Sequence, residues 1–342
     1  MEIFIFRNMD EVKYIISAPH PDAGLSNRIK CLISVIRLAD KLSRKLLVYW
    51  PVNFSCGARF SELFKNHFDF IDKSTLNHIL SSEDTIKYSE FPKKLDDKKY
   101  IVFDTWRFIL LPEDRKKIIN QFDKNVCDLA IDLQFEKVPK NLRKIFLSYL
   151  SKLNPQDEVL NKINLFSVKK NISEMVGVHV RRNEFILNGR AQNSNDLFFF
   201  KRMDDLLLSN PNLRFFLATD SKKTEEIFKE RYGNKIVTFP KENLDRNSSV
   251  AIQEALIELL LLSKTKRLLG TYASTFTEMA WWFGKCKSTV EIVGLNSINF
   301  TDRKSKSTLK SLIFRGISSS VQFLRRNSPT FRYFLRLFGM WG

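Results

Sequence analysis

Histidine and cysteine are scarce, with four of each in 342 residues. Cys31, Cys56, Cys127 and Cys286 form no C-x-x-C pair and the histidines lie far apart, so no zinc site can be assembled from local spacing. Cys31 and Cys286 sit in apolar segments and read as core thiols rather than nucleophiles. The G-x-G-x-x-G fingerprint and the P-loop are both missing, which weighs against dinucleotide oxidoreductases and P-loop kinases. No stretch suits a bilayer span: the longest apolar one, around Ile252 to Leu262, contains Gln253, Glu254 and Glu258. Met1 to Arg7 lacks the basic and apolar regions of a signal peptide, which predicts a cytoplasmic protein.

Acid is absent from the last forty residues, where Arg303, Lys304, Lys306, Lys310, Arg315, Arg325, Arg326, Arg332 and Arg336 supply nine of the eighteen net positive charges. The body of the chain is therefore only mildly basic. A positive balance suggests anionic partners such as nucleotides, lipid headgroups or nucleic acid. No RRM, KH or zinc signature is present, which argues against a specific nucleic-acid partner. Phe331, Phe334, Leu335 and Phe338 recur at i, i+3, i+4 and i+7, the pattern of a short basic amphipathic helix. Such a tail suits an anionic membrane surface, on the inner face for a cytoplasmic protein, and equally suits docking on the protein body.

What the chain does contain is a globular composition, 44% hydrophobic and 27% charged, in a length that favours two domains. A strand at Tyr14 to Ala18, a glycine turn, a helix carrying Ile29, Leu32, Ile33 and Ile36, and a strand at Lys45 to Trp50 make a βαβ opening. Another strand is expected at Tyr100 to Asp104, and a polar helical stretch from Pro112 to about Lys170, broken at Pro139 and at Asn154-Pro155. From Met175 to Val293 strands and helices alternate clearly, implying a parallel sheet covered on both faces. The expected architecture is α/β, with residues 1–165 and 166–302 as two Rossmann-like domains and 303–342 as a basic tail.

Ligands of open parallel sheets sit beyond the carboxyl ends of the strands, and four such edges here are chemically loaded. The first is His179-Val-Arg-Arg182 with Asn183 and Glu184. Adjacent arginines need an answering anion: a diphosphate, which the planar guanidinium fork suits, or a structural carboxylate such as Glu184. The second, Ala218-Thr-Asp220, offers Asp220 either as a helix cap or as an acceptor for a ribose or base edge. The third, Gly270-Thr-Tyr-Ala-Ser-Thr275, opens a helix whose Thr275 and Glu278 have capping-box spacing, and whose amides with the Ser274 and Thr275 hydroxyls favour phosphate. The fourth is Gly24-Leu-Ser-Asn-Arg28. Trp281-Trp282 suits core packing better than sugar stacking, while Trp106 is an acceptor-side candidate.

In order and spacing, these four elements with Leu46-Leu-Val-Tyr-Trp50 resemble the fucosyltransferase superfamily of bacterial nodulation fucosyltransferases, α-1,6-fucosyltransferases and protein O-fucosyltransferases. The resemblance implies a GT-B-like fold with GDP-fucose as donor in the cleft, inverting transfer, no metal, and a glycan or lipid-linked oligosaccharide as acceptor. It implies that Arg181 holds the β-phosphate and stabilises the leaving GDP, with Arg182 and His179 in support. Asp220 would meet the guanosine, Ser274 and Thr275 the diphosphate, and Asn27 or Arg28 would close from the other domain. The family shows Asp where this chain has Glu184. Glu184, Asp22 and Asp104 are the candidate bases for the acceptor hydroxyl. The rival readings are a transferase with another nucleotide-sugar donor and a non-catalytic glycan- or RNA-binding protein.

Overall fold

A computed structural model describes residues 12–87, 98–105, 108–109, 128–129, 138–182, 194–272 and 274–294. Chain contacts separate Met1–Gly294 from Leu295–Gly342, and the latter, with the expected tail helix, lies outside the described residues.

The first sheet holds β1 (Tyr14–Ser17), β2 (Lys45–Val48), β3 (Asp69–Phe70), β4 (Thr85–Lys87) and β5 (Tyr100–Phe103), in the order β3-β2-β1-β5-β4 and parallel throughout. Its helices are α1 (Leu25–Leu42), the single turn α2 (Phe60–Leu63) and α3 (Lys73–Ser81). Successive β1 side chains point to opposite faces, and both faces are covered. Ile15 packs with Cys31, Val35 and Leu38 of α1, whereas Ile16 packs with Leu76 and Ile79 of α3. Cys31 is fully enclosed there, and burial pushes its thiol up to about 12, so it is a core thiol.

Two short strands, β6 (Phe108–Ile109) and β7 (Asp128–Leu129), pair antiparallel. Then α4 (Lys140–Leu150), starting after Pro139, and α5 (Asp157–Lys170), starting after Asn154-Pro155, lead into the second half. The second sheet has β8 (Val176–Val180), β9 (Phe215–Thr219), β10 (Ile236–Val237), β11 (Arg267–Thr271) and β12 (Thr289–Val293), in the order β10-β9-β8-β11-β12, again all parallel. Its helices are α6 (Asp196–Ser209), α7 (Lys222–Tyr232), α8 (Ser249–Leu262) and α9 (Thr275–Phe283). The strands and helices read from the sequence match their counterparts to within a residue or two at each end, while α2, β3, α3, β4, β6 and β7 were not anticipated, and β7 is a strand within the stretch from Pro112 that was expected to be helical.

One apolar cluster joins the two halves. Ile29, Leu32 and Ile33 of α1 pack with Phe146 of α4, Leu256 of α8 and Trp282 of α9. Trp281 and Trp282 are both buried in this cluster, each contributing about 2–3 kcal/mol by removal from water, so they are packing residues. Because α1 is covered on one side by its own sheet and on another by α4 and α9, almost its whole length from Leu25 to Ala39 is buried.

In each sheet the chain runs outward from its first strand and then returns to that strand's other side, leaving a switch point between β1 and β5 and another between β8 and β11. Crevices at the carboxyl ends of such strands are where this class of sheet takes ligands.

Candidate active site at the switch point of the second sheet

The end of β8 is tied to the end of β11 by a single hydroxyl. Thr271 Oγ1 donates to the His179 carbonyl (2.9 Å) and accepts the Arg181 N–H (2.9 Å). Gly270 lets α9 begin hard against the strand, since a Cβ there would stand 2.4 Å from Thr277 Cγ2. His179 uses that proximity: its ring stacks on Phe276 with centroids 4.7 Å apart, and its Nδ1 lies 2.8 Å from Thr277 Oγ1 and 3.4 Å from Ser274 Oγ. Burial, then the positive charges of Arg181, Arg182 and Lys241, push His179 down to about 3, so it is neutral at physiological pH. It joins the strand to the helix rather than moving protons.

The adjacent arginines separate into different environments. Arg182 is locked inward: its N–H donates to Asp220 Oδ1 (2.7 Å), and its guanidinium donates to the carbonyls of Arg181 and Ser194 (3.0 Å each) and to Asp196 Oδ1. Ser194, itself fully buried, donates to the Val293 carbonyl and accepts the Tyr272 N–H (2.9 Å), so the ends of β8, β11 and β12 form one braced unit. Arg181 keeps 15% of its side chain exposed, with Asp220 Oδ2 at 3.9 Å from its Nε. The structural carboxylates for the pair are thus Asp196 and Asp220; Glu184 lies outside the described residues. Asp220 does not cap α7, because Ser221 does, accepting the Thr224 N–H (3.2 Å).

The capping box expected from Thr275 and Glu278 is not formed. Ser274 is the N-cap of α9 and accepts no N–H of the first turn. Glu278 is fully buried and turned the other way, with Oε2 taking Lys30 Nζ of α1 at 2.6 Å and Oε1 taking Trp282 Nε1 at 3.4 Å. Among the described residues the first turn of α9 therefore presents N–H groups with neither an intrahelical partner nor a side-chain cap, beside the Ser274 and Thr275 hydroxyls.

At the edge of the first sheet, the structure gives Arg28 a different task from the donor contact expected of it. It is 0% exposed, lies over the Trp50 ring at 5.5 Å, and donates to the carbonyls of Ala23 (2.7 Å) and Pro51 and to Asn53 Oδ1 (2.8 Å). It acts on the cleft only by holding these loops. Asn27 is part-exposed, and its Oδ1, like Ser26 Oγ, has no hydrogen-bond partner among the described residues. Asp22 and Asp104 are exposed beyond the carboxyl ends of β1 and β5.

The two edges meet through backbone. Gly57 N–H donates to the Arg246 carbonyl (2.7 Å), and a Cβ on Gly57 would fall 2.1 Å from the Asn247 carbonyl oxygen, so no other residue fits. Arg246 Nη2 lies 3.7 Å from where a Cβ on Gly24 would stand. The loop carrying Arg246 is held by Lys241, whose Nζ donates to the Thr219 carbonyl and to Glu258 Oε1 (2.7 Å each), and by Glu254, which accepts the Glu242 N–H (2.9 Å). Burial pushes the Glu258 carboxyl up to about 7 against the pull of Lys241.

Solved structures share this fold. Fucosyltransferase NodZ from Bradyrhizobium superposes with a TM-score of 0.51 at 14% identity, over 79% of this chain and 92% of that one. NodZ α-1,6-fucosyltransferase co-crystallised with GDP gives 0.50 at 14% identity over 79% and 92%. The apo form of POFUT1 gives 0.50 at 12% identity over 84% and 99%. The fold is that of these fucosyltransferases. No family model matches the chain, and no curated protein matches it.

Within this fucosyltransferase fold, the sequence-predicted residues His179, Arg181, Arg182, Asp220 and Ser274 come together around one switch point, with Thr275 next to Ser274. Asn27 and Arg28 belong to the opposite edge. Sequence reasoning missed the supports: Ser194, Asp196, Lys241, Glu254 and Glu258. A signal existed for two of them, since Glu254 and Glu258 interrupt an otherwise apolar helix at i, i+4 and so share a face. Among the described residues no group of three or more His, Cys, Asp or Glu side chains is placed to hold a metal, and no helix is long and apolar enough to cross a membrane.

Proposed function

We propose that this chain is a glycosyltransferase that passes fucose from GDP-fucose to a hydroxyl of a glycan, with inversion and without a metal ion. The observation that carries the reading is the placement of Arg181, just past the end of β8, and the uncapped first turn of α9, just past the end of β11, on the two sides of the switch point between those strands. Breaking a glycosyl–phosphate bond builds negative charge on the departing diphosphate. A guanidinium and preorganised N–H groups are suited to receive it. Solved structures of the same fold were obtained with GDP and GDP-fucose, which supports this choice of donor.

In this reading residues 166–302 hold the donor and residues 1–165 face the acceptor. Arg181 contacts the β-phosphate. Arg182 and neutral His179 keep Arg181 and the start of α9 in place, Ser274 and Thr275 complete the diphosphate site, and Asp220 receives the guanosine. Asn27 closes from the opposite edge, and Arg28 contributes by fixing that edge. The acceptor oxygen attacks the anomeric carbon from the side opposite the diphosphate, forming the new glycosidic bond as the old one breaks and giving its proton to a carboxylate, for which Glu184, Asp22 and Asp104 are the candidates. A lipid-linked oligosaccharide fits a protein whose basic tail rests on an anionic membrane surface.

The test is thermal stabilisation by GDP, UDP and ADP in the presence of EDTA, with Arg181→Ala alongside. GDP at a hundred times its Kd should add about 2.7 kcal/mol to the wild type, with the shift lost in the variant. A folded protein that responds to no nucleotide overturns the reading. Turnover of GDP-fucose in EDTA checks the metal-free clause, and the anomeric configuration of the product checks inversion.

A further inference from the structure

The turn Asn53–Cys56 presents an aromatic ring to solvent. Phe54 is 65% exposed, the most exposed aromatic residue among those described. Phe70, at 47%, still packs against the rings of Phe60 and Phe68, whereas Phe54 meets no aromatic ring among the described residues. Val52, on the same loop, is 53% exposed.

A lone exposed apolar residue is ordinary. What sets this one apart is the rigidity of its mounting and its position. Asn53 and Cys56 exchange backbone hydrogen bonds (3.2 and 2.9 Å), and Asn53 Oδ1 accepts the N–H groups of Ser55 (3.0 Å) and Cys56 (3.3 Å) together with Arg28 Nη2. Asn53 Nδ2 donates to the Pro21 carbonyl (2.9 Å), which joins the turn to the loop that follows β1. One residue beyond the turn, Gly57 is bonded to the loop of the other half. The backbone of Phe54 is therefore held at the rim where the carboxyl edge of the first sheet meets the second half, beside the α1 start that carries Arg28.

We propose that Phe54 is the acceptor platform, stacking on the apolar face of a pyranose ring while polar groups of the same edge meet its hydroxyls. A pyranose offers one C–H face and a rim of hydroxyls, and an aromatic side chain with two rotatable angles on a fixed backbone binds it with little ordering cost. This inference rests on the transferase reading and places the acceptor opposite the donor edge.

The experiment titrates GDP-loaded protein with methyl pyranosides and linear tetrasaccharides of glucose, galactose, mannose and N-acetylglucosamine, in wild type, Phe54→Ala and Phe54→Trp. At least one sugar should bind; Phe54→Ala should weaken it tenfold or more with the Kd for GDP unchanged, and Phe54→Trp should restore it. Sugar binding unaffected by Phe54→Ala, or no sugar bound by protein that does bind GDP, overturns the platform. Wild-type protein that binds a sugar through Phe54 but no guanine nucleotide overturns the transferase reading instead, leaving a glycan-binding protein.

Discussion

Lys30 and Glu278 form an ion pair whose side chains are 2% and 0% exposed, one on α1 and the other on α9. Removing one partner strands a charge in the interior, whereas removing both leaves only a packing problem. Lys30→Met alone should therefore cost about 3–5 kcal/mol in urea unfolding, while Lys30→Met with Glu278→Leu should recover most of that loss. A double variant no better than the single one would show that the pair is not an isolated unit. The buried histidine sets a second expectation. Held at about 3 against an ordinary 6.5, His179 contributes stability that is full above pH 6.5 and is lost as pH falls toward 3. Glu258 opposes it: raised from 4.5 to about 7, its contribution is full below pH 4.5 and is lost as pH rises through 7. The two slopes offset between pH 4.5 and 6.5, so the acid limb due to His179 should emerge below pH 4.5. Comparing the urea midpoints of the wild type and His179→Asn from pH 3.5 to 7 checks this: the difference between them should shrink as acid is added.

At the scale of elements, the contact of Gly57 with the Asn247 backbone is the least forgiving in the cleft. Gly57→Ala should prise the loop at Arg246 away from the first sheet's edge, lowering stability by about 1–3 kcal/mol and slowing transfer more than donor binding. A variant with unchanged turnover would place this contact outside the reaction. The elements themselves were largely legible. Strands β8, β9 and β11 are largely buried, and helices with clear periodicity and turn residues flank them, so their bounds could be read closely. The stretch from β3 to β4 was not legible because β3 spans two exposed residues and α3 buries only Leu76 and Ile79, too little for a periodic signal. The candidate site was legible in its residue types but not in their division of labour. Two adjacent arginines look alike in a sequence; only the fold shows that Arg182 is enclosed by Ser194 and Asp196, and that Arg28 is consumed by the carbonyls of Ala23 and Pro51 and by Asn53 Oδ1. The capping-box spacing misled for the same reason, since the partner of Glu278 lies 248 positions away.

For the molecule as a whole, the net positive charge is concentrated at the carboxyl end. The nine tail cations have no acid among them, and deleting residues 303–342 should abolish binding to vesicles containing anionic lipid while leaving the response to GDP intact. Retained vesicle binding would move the membrane contact to the body or remove it. The cluster that runs from α1 through α4 and α8 to α9 has a different bearing, on how proteins of this fold can be recombined. If the proposed division holds, with the donor on one half and the acceptor on the other, exchanging halves between relatives is an obvious route to new products. Here the boundary is a core rather than a linker, crossed by an enclosed ion pair and by a glycine that tolerates no side chain. A chimera would have to carry Lys30 with Glu278, and Gly57 with the backbone path at Asn247, as matched sets, which makes the two halves of this chain co-inherited parts of one folding unit rather than interchangeable modules.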